Sequence, residues 1–210
     1  MENLIIVGAG GFGREIVQLI EDINHIKPSW RINGFIDDDI TALDSFNCDY
    51  TIMGRIKDHQ PTNAAVYACA IANPFLKANV VTLLKSKGAK FISIIHPSAN
   101  VGSKNYIGEG FVAYPNACVT TNVVIGNFVT LLASGVGHDA EIGDFSTISS
   151  FCDITGGVKI GRQVFLGSHV TVVPGKKIGD EAFVCAGSVV VKNIRNGGKV
   201  FGNPAKQMPI

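Results

Sequence analysis

The strongest constraint on this chain is a six-residue ladder that runs from Val101 to Val191. Val101, Ile107, Ala113, Val119, Ile125 and Leu131 fall in one frame. The frame slips by one residue and resumes at Val136, continuing through Ile142, Ile148, Ile154 and every sixth residue to Val190. Fifteen of the sixteen positions are Val, Ile or Leu, and eight are followed by glycine, so the period is carried by side-chain shape and not by general hydrophobicity. A helix repeats near 3.6 residues and a simple strand near two, so neither produces a strict six. A hexapeptide solenoid does, with one inward aliphatic side chain per short strand and a tight corner after it. The one slip, between Leu131 and Val136, comes just before His138. It predicts a shortened coil whose corner is re-aimed, with His138 outside the solenoid wall.

Ahead of the ladder the pattern is different. Leu4–Ile5–Ile6–Val7 is a short apolar run without alternation, as in a strand covered on both faces. It leads into Gly8–Ala9–Gly10–Gly11–Phe12–Gly13 and then a helical pattern through Ile16, Val17, Leu19 and Ile20. Strand, glycine turn and helix make a dinucleotide-type unit, in which backbone N–H groups at a helix N-terminus approach a diphosphate. Ile32–Ile36 reads as a second strand ending in Asp37–Asp38–Asp39, where such folds hold a ribose hydroxyl. A third strand is expected over 64–72, a helix over 75–87 and a last strand over 91–95. Residues 1–95 therefore read as a small Rossmann-like βαβ domain holding a nucleotide, and 96–210 as a parallel β-solenoid. The overall class is α/β followed by all-β.

Composition narrows the function. A net charge of +1 over 210 residues provides no field to gather nucleic acid. No apolar run approaches the roughly 18 residues of a spanning helix, and the N-terminus reads as a strand and not as a secretion signal. Five scattered cysteines without a CxxC pattern suit free thiols in a reducing cytoplasm.

The ladder, with Val172–Val173–Pro174–Gly175 and the closing Gly202–Asn203–Pro204–Ala205–Lys206, resembles the left-handed β-helix acyltransferases. The Gly8–Gly13 loop with Asp37–Asp38 ahead of it resembles, more narrowly, the bacterial nucleotide-4-amino-sugar N-acetyltransferases and sialic-acid O-acetyltransferases. The likeness covers essentially the whole chain. It implies left-handed coiling with three hexapeptides per turn, a homotrimer, and acetyl-CoA held between neighbouring solenoids. The implied reaction is acetyl transfer to the 4-amino group of a nucleotide-linked 4-amino-4,6-dideoxy sugar, in the cytoplasm, for surface polysaccharide or glycan synthesis.

The resemblance also assigns residues. His138 is the expected general base, suited by an imidazole that titrates near neutrality, and Asp139 its orienting partner. Gly156 matches the family's oxyanion donor through its N–H. A second histidine of several relatives, nine residues beyond the first, is here Thr147, whose hydroxyl is the expected stand-in contact to the coenzyme. Ser168, Ala186 and Gly187 match positions along the pantetheine arm, and Lys192 and Lys206, with Arg195 and Lys199, are candidates for its phosphates. Gly8, Gly10, Gly11 and Gly13 would face the nucleotide diphosphate, Asp37 and Asp38 the ribose or base. Ala72–Asn73 stand where the family has a further nucleotide contact. No metal is expected: the solenoid holds only His138 and His169, with His96 at its border, too sparse for the three-histidine zinc site of a solenoid hydratase. O-acetylation of a sialic-acid-like sugar and a non-catalytic scaffold are the competing functions.

Overall fold

The computed structural model describes residues 1–208. The chain divides into two compact units, the first Met1–Ile94 and the second starting at Ile95.

The first unit comprises β1 (Glu2–Val7), α1 (Gly11–Ile26), β2 (Trp30–Ile36), β3 (Ile52–Gly54), β4 (Ala65–Cys69) and α2 (Pro74–Ser86). Its four strands form a parallel sheet in the order β3-β2-β1-β4. β1 is central, and its last four residues are buried, which is why they show no alternation. α1 lays down Gly13, Ile16, Leu19 and Ile20 as a single buried stripe at helical spacing. α2 is started by Pro74 and by Asn73, whose side chain accepts hydrogen bonds from the Phe75 and Leu76 N–H groups at 3.0 Å each. The chain leaves β1 towards β2 and returns to β4 on the other side. The loops after β1 and β4 therefore part at a topological switch point, the usual place for a ligand in such sheets.

One element here was unexpected and one expectation fails. β3 was not foreseen, because three residues at a sheet edge carry no readable period. The strand expected over 91–95 does not join this sheet. Phe91 is joined to Tyr67 by an isolated bridge, with the two rings 5.9 Å apart, while Ile94–Ile95 opens the first face of the solenoid.

The second unit is a β-helix of two-residue strands stacked into three parallel sheets. The first face runs through Val112–Ala113, Thr130–Leu131, Thr147–Ile148 and Phe165–Leu166. The second runs through Cys118–Val119, Gly135–Val136, Asp153–Ile154 and Thr171–Val172. The third runs through Val124–Ile125, Glu141–Ile142 and Lys159–Ile160. From Ala113 to Val190 the ladder residues are the buried members of their strands and stack directly over one another, forming a continuous aliphatic core. Each fully buried Val, Ile or Leu contributes on the order of 1.5–3 kcal/mol, so stacked repeats stabilise what a single coil cannot.

The corners are built alike. Between the second and third faces, Lys104, Asn122, Asp139, Gly157 and Gly175 form one column, all with φ between 54° and 71°. Between the first and second faces the corresponding column is Asn116, Phe151, His169 and Gly187. The frame slip removes one member of this second column. In the segment Leu132–Ala133–Ser134 there is no left-handed residue, and strand partners across it are 17 instead of 18 residues apart, as in Val119–Val136 against Val136–Ile154. Ser134 keeps the ladder intact: its carbonyl accepts from Cys118 N–H, and its hydroxyl donates to Ser149 O and accepts from Cys152 N–H. The slip thus shortens the corner before the strand Gly135–Val136. His138 lies at the next corner, which has ordinary geometry, so the shortened coil does not re-aim it.

After Lys199–Phe201 the chain turns back. Lys206 and Gln207 pair antiparallel with Phe201 and Val200, and Ala205 N–H donates to Val189 O at 2.8 Å.

Candidate active site

His138 stands outside the stack, on the corner between the second and third faces. Its side chain is 68% exposed. Its Nδ1 is 2.7 Å from Asp139 Oδ2. An ionised carboxylate only accepts, so Nδ1 carries the proton and, in the neutral ring, Nε2 keeps its lone pair. The His138 hydrogen bond, and after it one from Asn122, hold the Asp139 carboxyl below the usual carboxylate range. Asn122 Nδ2 reaches Asp139 Oδ1 at 3.3 Å from the coil above.

One coil further on, Gly156 occupies the same corner position as His138. A methyl group at Gly156 would stand 2.6 Å from both Cε1 and Nε2 of the imidazole. The ring therefore lies against the Gly156 backbone, and that contact, not a left-handed φ, is what demands glycine. The Gly156 N–H donates to no acceptor among the described residues, while its carbonyl accepts from Gly175 N–H. The N–H groups of Thr121 and His138 are free in the same way, so the unpaired donor is a property of the corner; the ring beside Gly156 turns it into part of a site. Here the structure places a free imidazole nitrogen next to a free backbone donor.

The other expected residues lie elsewhere. Thr147 is 2% exposed and belongs to a strand of the first face. Ser168 and Ala186 stack on the corner between the first and second faces, where Gly187 N–H donates to Ser168 O at 2.8 Å. A Cβ at Gly167 would meet Ala186 N at 2.5 Å, which keeps that wall flat. These positions and His138 occupy different corners of one triangle. Lys192 and Lys206 do come together. With Arg195 they line a cavity of about 490 Å³ at the closing end of the solenoid, floored by Val190, Ile194 and Val200. Lys199 is not among its lining residues.

In the first unit the four glycines separate into two kinds. A Cβ at Gly13 would lie 2.1 Å from Gly8 O, and Gly8 itself has φ +104 and would meet Ala70 O at 2.9 Å. Both are required by close packing of the turn against helix and strand. Gly10 has nothing within 4 Å and Gly11 only the Arg14 guanidinium at 3.9 Å. Their lack of side chains opens the backbone to solvent at the start of α1, which has no side-chain N-cap. Asp37 is engaged by the turn: Oδ2 accepts from Ala9 N–H at 2.7 Å and Oδ1 from Asp39 N–H at 2.9 Å. Asp38 is exposed, with one oxygen 3.3 Å from Lys57 N. Ala72 and Asn73 are exposed beside the same sheet edge; the Asn73 carbonyl oxygen caps α2, and its amide NH2 faces outward from that role.

A parallel solenoid with a histidine–aspartate pair on one corner, joined to a glycine-turn α/β unit, defines a hexapeptide-repeat acyltransferase. Comparison with known proteins narrows this further. Residues 3–84 match the family model of the PglD N-terminal domain. A GDP-perosamine N-acetyltransferase of Escherichia coli O157:H7 is 30% identical over 211 residues, covering 97% of this chain and 95% of the relative. The acetyltransferase domain of PglB from Neisseria gonorrhoeae, solved with acetyl coenzyme A, superposes with a TM-score of 0.88 at 25% identity over 99% of both chains. WeeI from Acinetobacter baumannii does so with a TM-score of 0.87 at 27% identity, over 99% of this chain and all of that one. The chain belongs to this family of acetyl-CoA-dependent, left-handed β-helix N-acetyltransferases.

Proposed function

We propose that the protein transfers acetyl from acetyl-CoA to the 4-amino group of a nucleotide-linked 4-amino-4,6-dideoxy sugar. The sugar amine attacks the thioester carbonyl carbon directly. His138 Nε2 takes the amine proton as the C–N bond forms, and the imidazolium at Nδ1 is steadied by Asp139. The oxyanion of the tetrahedral intermediate is met by the Gly156 N–H. Collapse breaks the C–S bond, and the proton passes from Nε2 to the departing thiolate, giving amide and free CoA. The observation that carries this reading is the free Nε2 lying against Gly156 in a chain of this family.

The glycine turn holds the nucleotide, with Gly10 and Gly11 at the diphosphate and Asp38 at the ribose, while Asp37 shapes the turn. Lys192, Arg195 and Lys206 take the coenzyme phosphates. Because the coenzyme positions and His138 occupy different corners, a groove between two solenoids is needed to unite them, which favours a homotrimer with shared sites. Light scattering should then give about three times the 22.3 kDa chain mass. No helix among the described residues is long and apolar enough to cross a membrane. We place the enzyme in the bacterial cytoplasm, with its substrates.

The test is thiol release from acetyl-CoA with GDP-, UDP- and dTDP-linked 4-amino sugars, and with free sialic acid. The E. coli relative makes GDP-perosamine, a 4-amino-4,6-dideoxy sugar nucleotide, the first to try. Release with sialic acid and none of the nucleotides would overturn the reading.

A further inference from the structure

We infer that Asn122 is a positioning residue of the active site. The inference rests on His138 as base. The corner between the second and third faces carries one line of contacts through three successive coils. Asn122 Nδ2 donates to Asp139 Oδ1 at 3.3 Å, Asp139 Oδ2 is 2.7 Å from His138 Nδ1, and the His138 ring lies on Gly156. The Asn122–Asp139 spacing of 17 residues is one shortened coil, so the stacking of the solenoid itself sets this pair side by side.

The chemistry gives the amide a task. Asp139 is 58% exposed and its carboxylate has two oxygens, only one of which the imidazole uses. Left with a free second oxygen, the carboxylate can rotate about its Cβ–Cγ bond and let the ring swing off Gly156. A donor fixed on the neighbouring coil holds the carboxylate plane, and through it the Nδ1–H tautomer and the direction of Nε2. Asn122 has φ 56°, a conformation that asparagine and glycine tolerate alike. Backbone need alone would therefore be met by glycine, and the amide would be idle.

That alternative makes the test. Asn122→Gly keeps the corner and removes only the amide. Asn122→Asp keeps the shape and sets one acceptor against another. In the full-length enzyme, N122G should lower kcat about fivefold, the worth of one net hydrogen bond. The KM for each substrate should stay within about twofold, because a residue acting through Asp139 touches neither. N122D should lose about tenfold or more, since like charges face each other. Imidazole ¹⁵N NMR should show the Nε2–H tautomer of His138 growing in both variants. Wild-type kcat and an unchanged tautomer in N122G would overturn the inference. The NMR arm stands whether or not His138 is the base. Activity of His138→Gln within about threefold of wild type would sink the base assignment while leaving the Asn122 contact to be judged by the tautomer.

Discussion

The two units use glycine at their candidate sites for opposite reasons. In the turn after β1, Gly10 stands in open space, so no atom of the protein excludes a side chain there. On the solenoid corner, Gly156 is excluded from carrying one by a single neighbour, the imidazole of His138. Gly13 and Gly102 are glycines of a third kind, each with a backbone carbonyl oxygen 2.1 Å from where Cβ would be. Glycine thus marks three different things in one chain: a backbone packed too close, a backbone left bare, and a backbone under an imidazole ring. Substitution by alanine separates them.

The largest effect belongs to the ring itself. His138→Ala should lower kcat roughly 100-fold or more with the fold intact, read by steady-state kinetics beside circular dichroism. Next comes Gly156→Ala. The methyl must push the imidazole away, and a displacement near 1 Å can cost about 100-fold. Kinetics should show a kcat deficit approaching that of His138→Ala, while the melting temperature barely moves because the neighbour that yields is an exposed side chain. A large melting shift would instead make Gly156 a packing glycine. Gly13→Ala reverses the pattern, destabilising the first unit by about 3 kcal/mol or more in a denaturant titration, since overpacking against backbone has no easy relief. Gly10→Ala should leave stability within about 0.5 kcal/mol. Its KM for the sugar nucleotide should rise about tenfold, the scale of one or two backbone hydrogen bonds to a charged group. Equal stability losses at Gly10 and Gly13 would erase the distinction.

Which parts of this were legible beforehand follows from where the information is repeated. The ladder states each inward position many times, so its core was readable residue by residue, and the pairing of Val119 with Val136, and of Val136 with Ile154, follows it. The slip was readable too, but not its effect. A missing residue shows in the frame, whereas the corner that absorbs it depends on Ser134, whose hydroxyl does work that no period records. Asp37 was expected at the ribose or base by its place after β2; that its carboxylate accepts two backbone N–H groups was not readable from that place. Asn122 was invisible until coil length was known, because its partner Asp139 is 17 residues away and Asn122 itself has no local motif. For Thr147, spacing from His138 gives a position along the coil but not its exposure, which is 2%.

The units also differ in buried charge, and this sets the smallest prediction. Among the described residues the solenoid buries only hydroxyls as polar side chains: Thr130, Ser134, Ser146, Thr147 and Ser188. The α/β unit buries Lys77 of α2, 1% exposed, and burial lowers its pKa to about 7. The unfolded lysine titrates at its ordinary value near 10.5. Between those two values the unfolded chain binds the extra proton and the folded one does not, so stability must rise with pH across that window. The slope cannot exceed about 1.4 kcal/mol per pH unit for one group. Trp30, the chain's one tryptophan, lies in β2 and reports on this unit. Urea titrations followed by its fluorescence should give a midpoint that climbs from pH 7 to 9 in the wild type and climbs less in Lys77→Met. Equal slopes would mean that Lys77 keeps its proton in the fold.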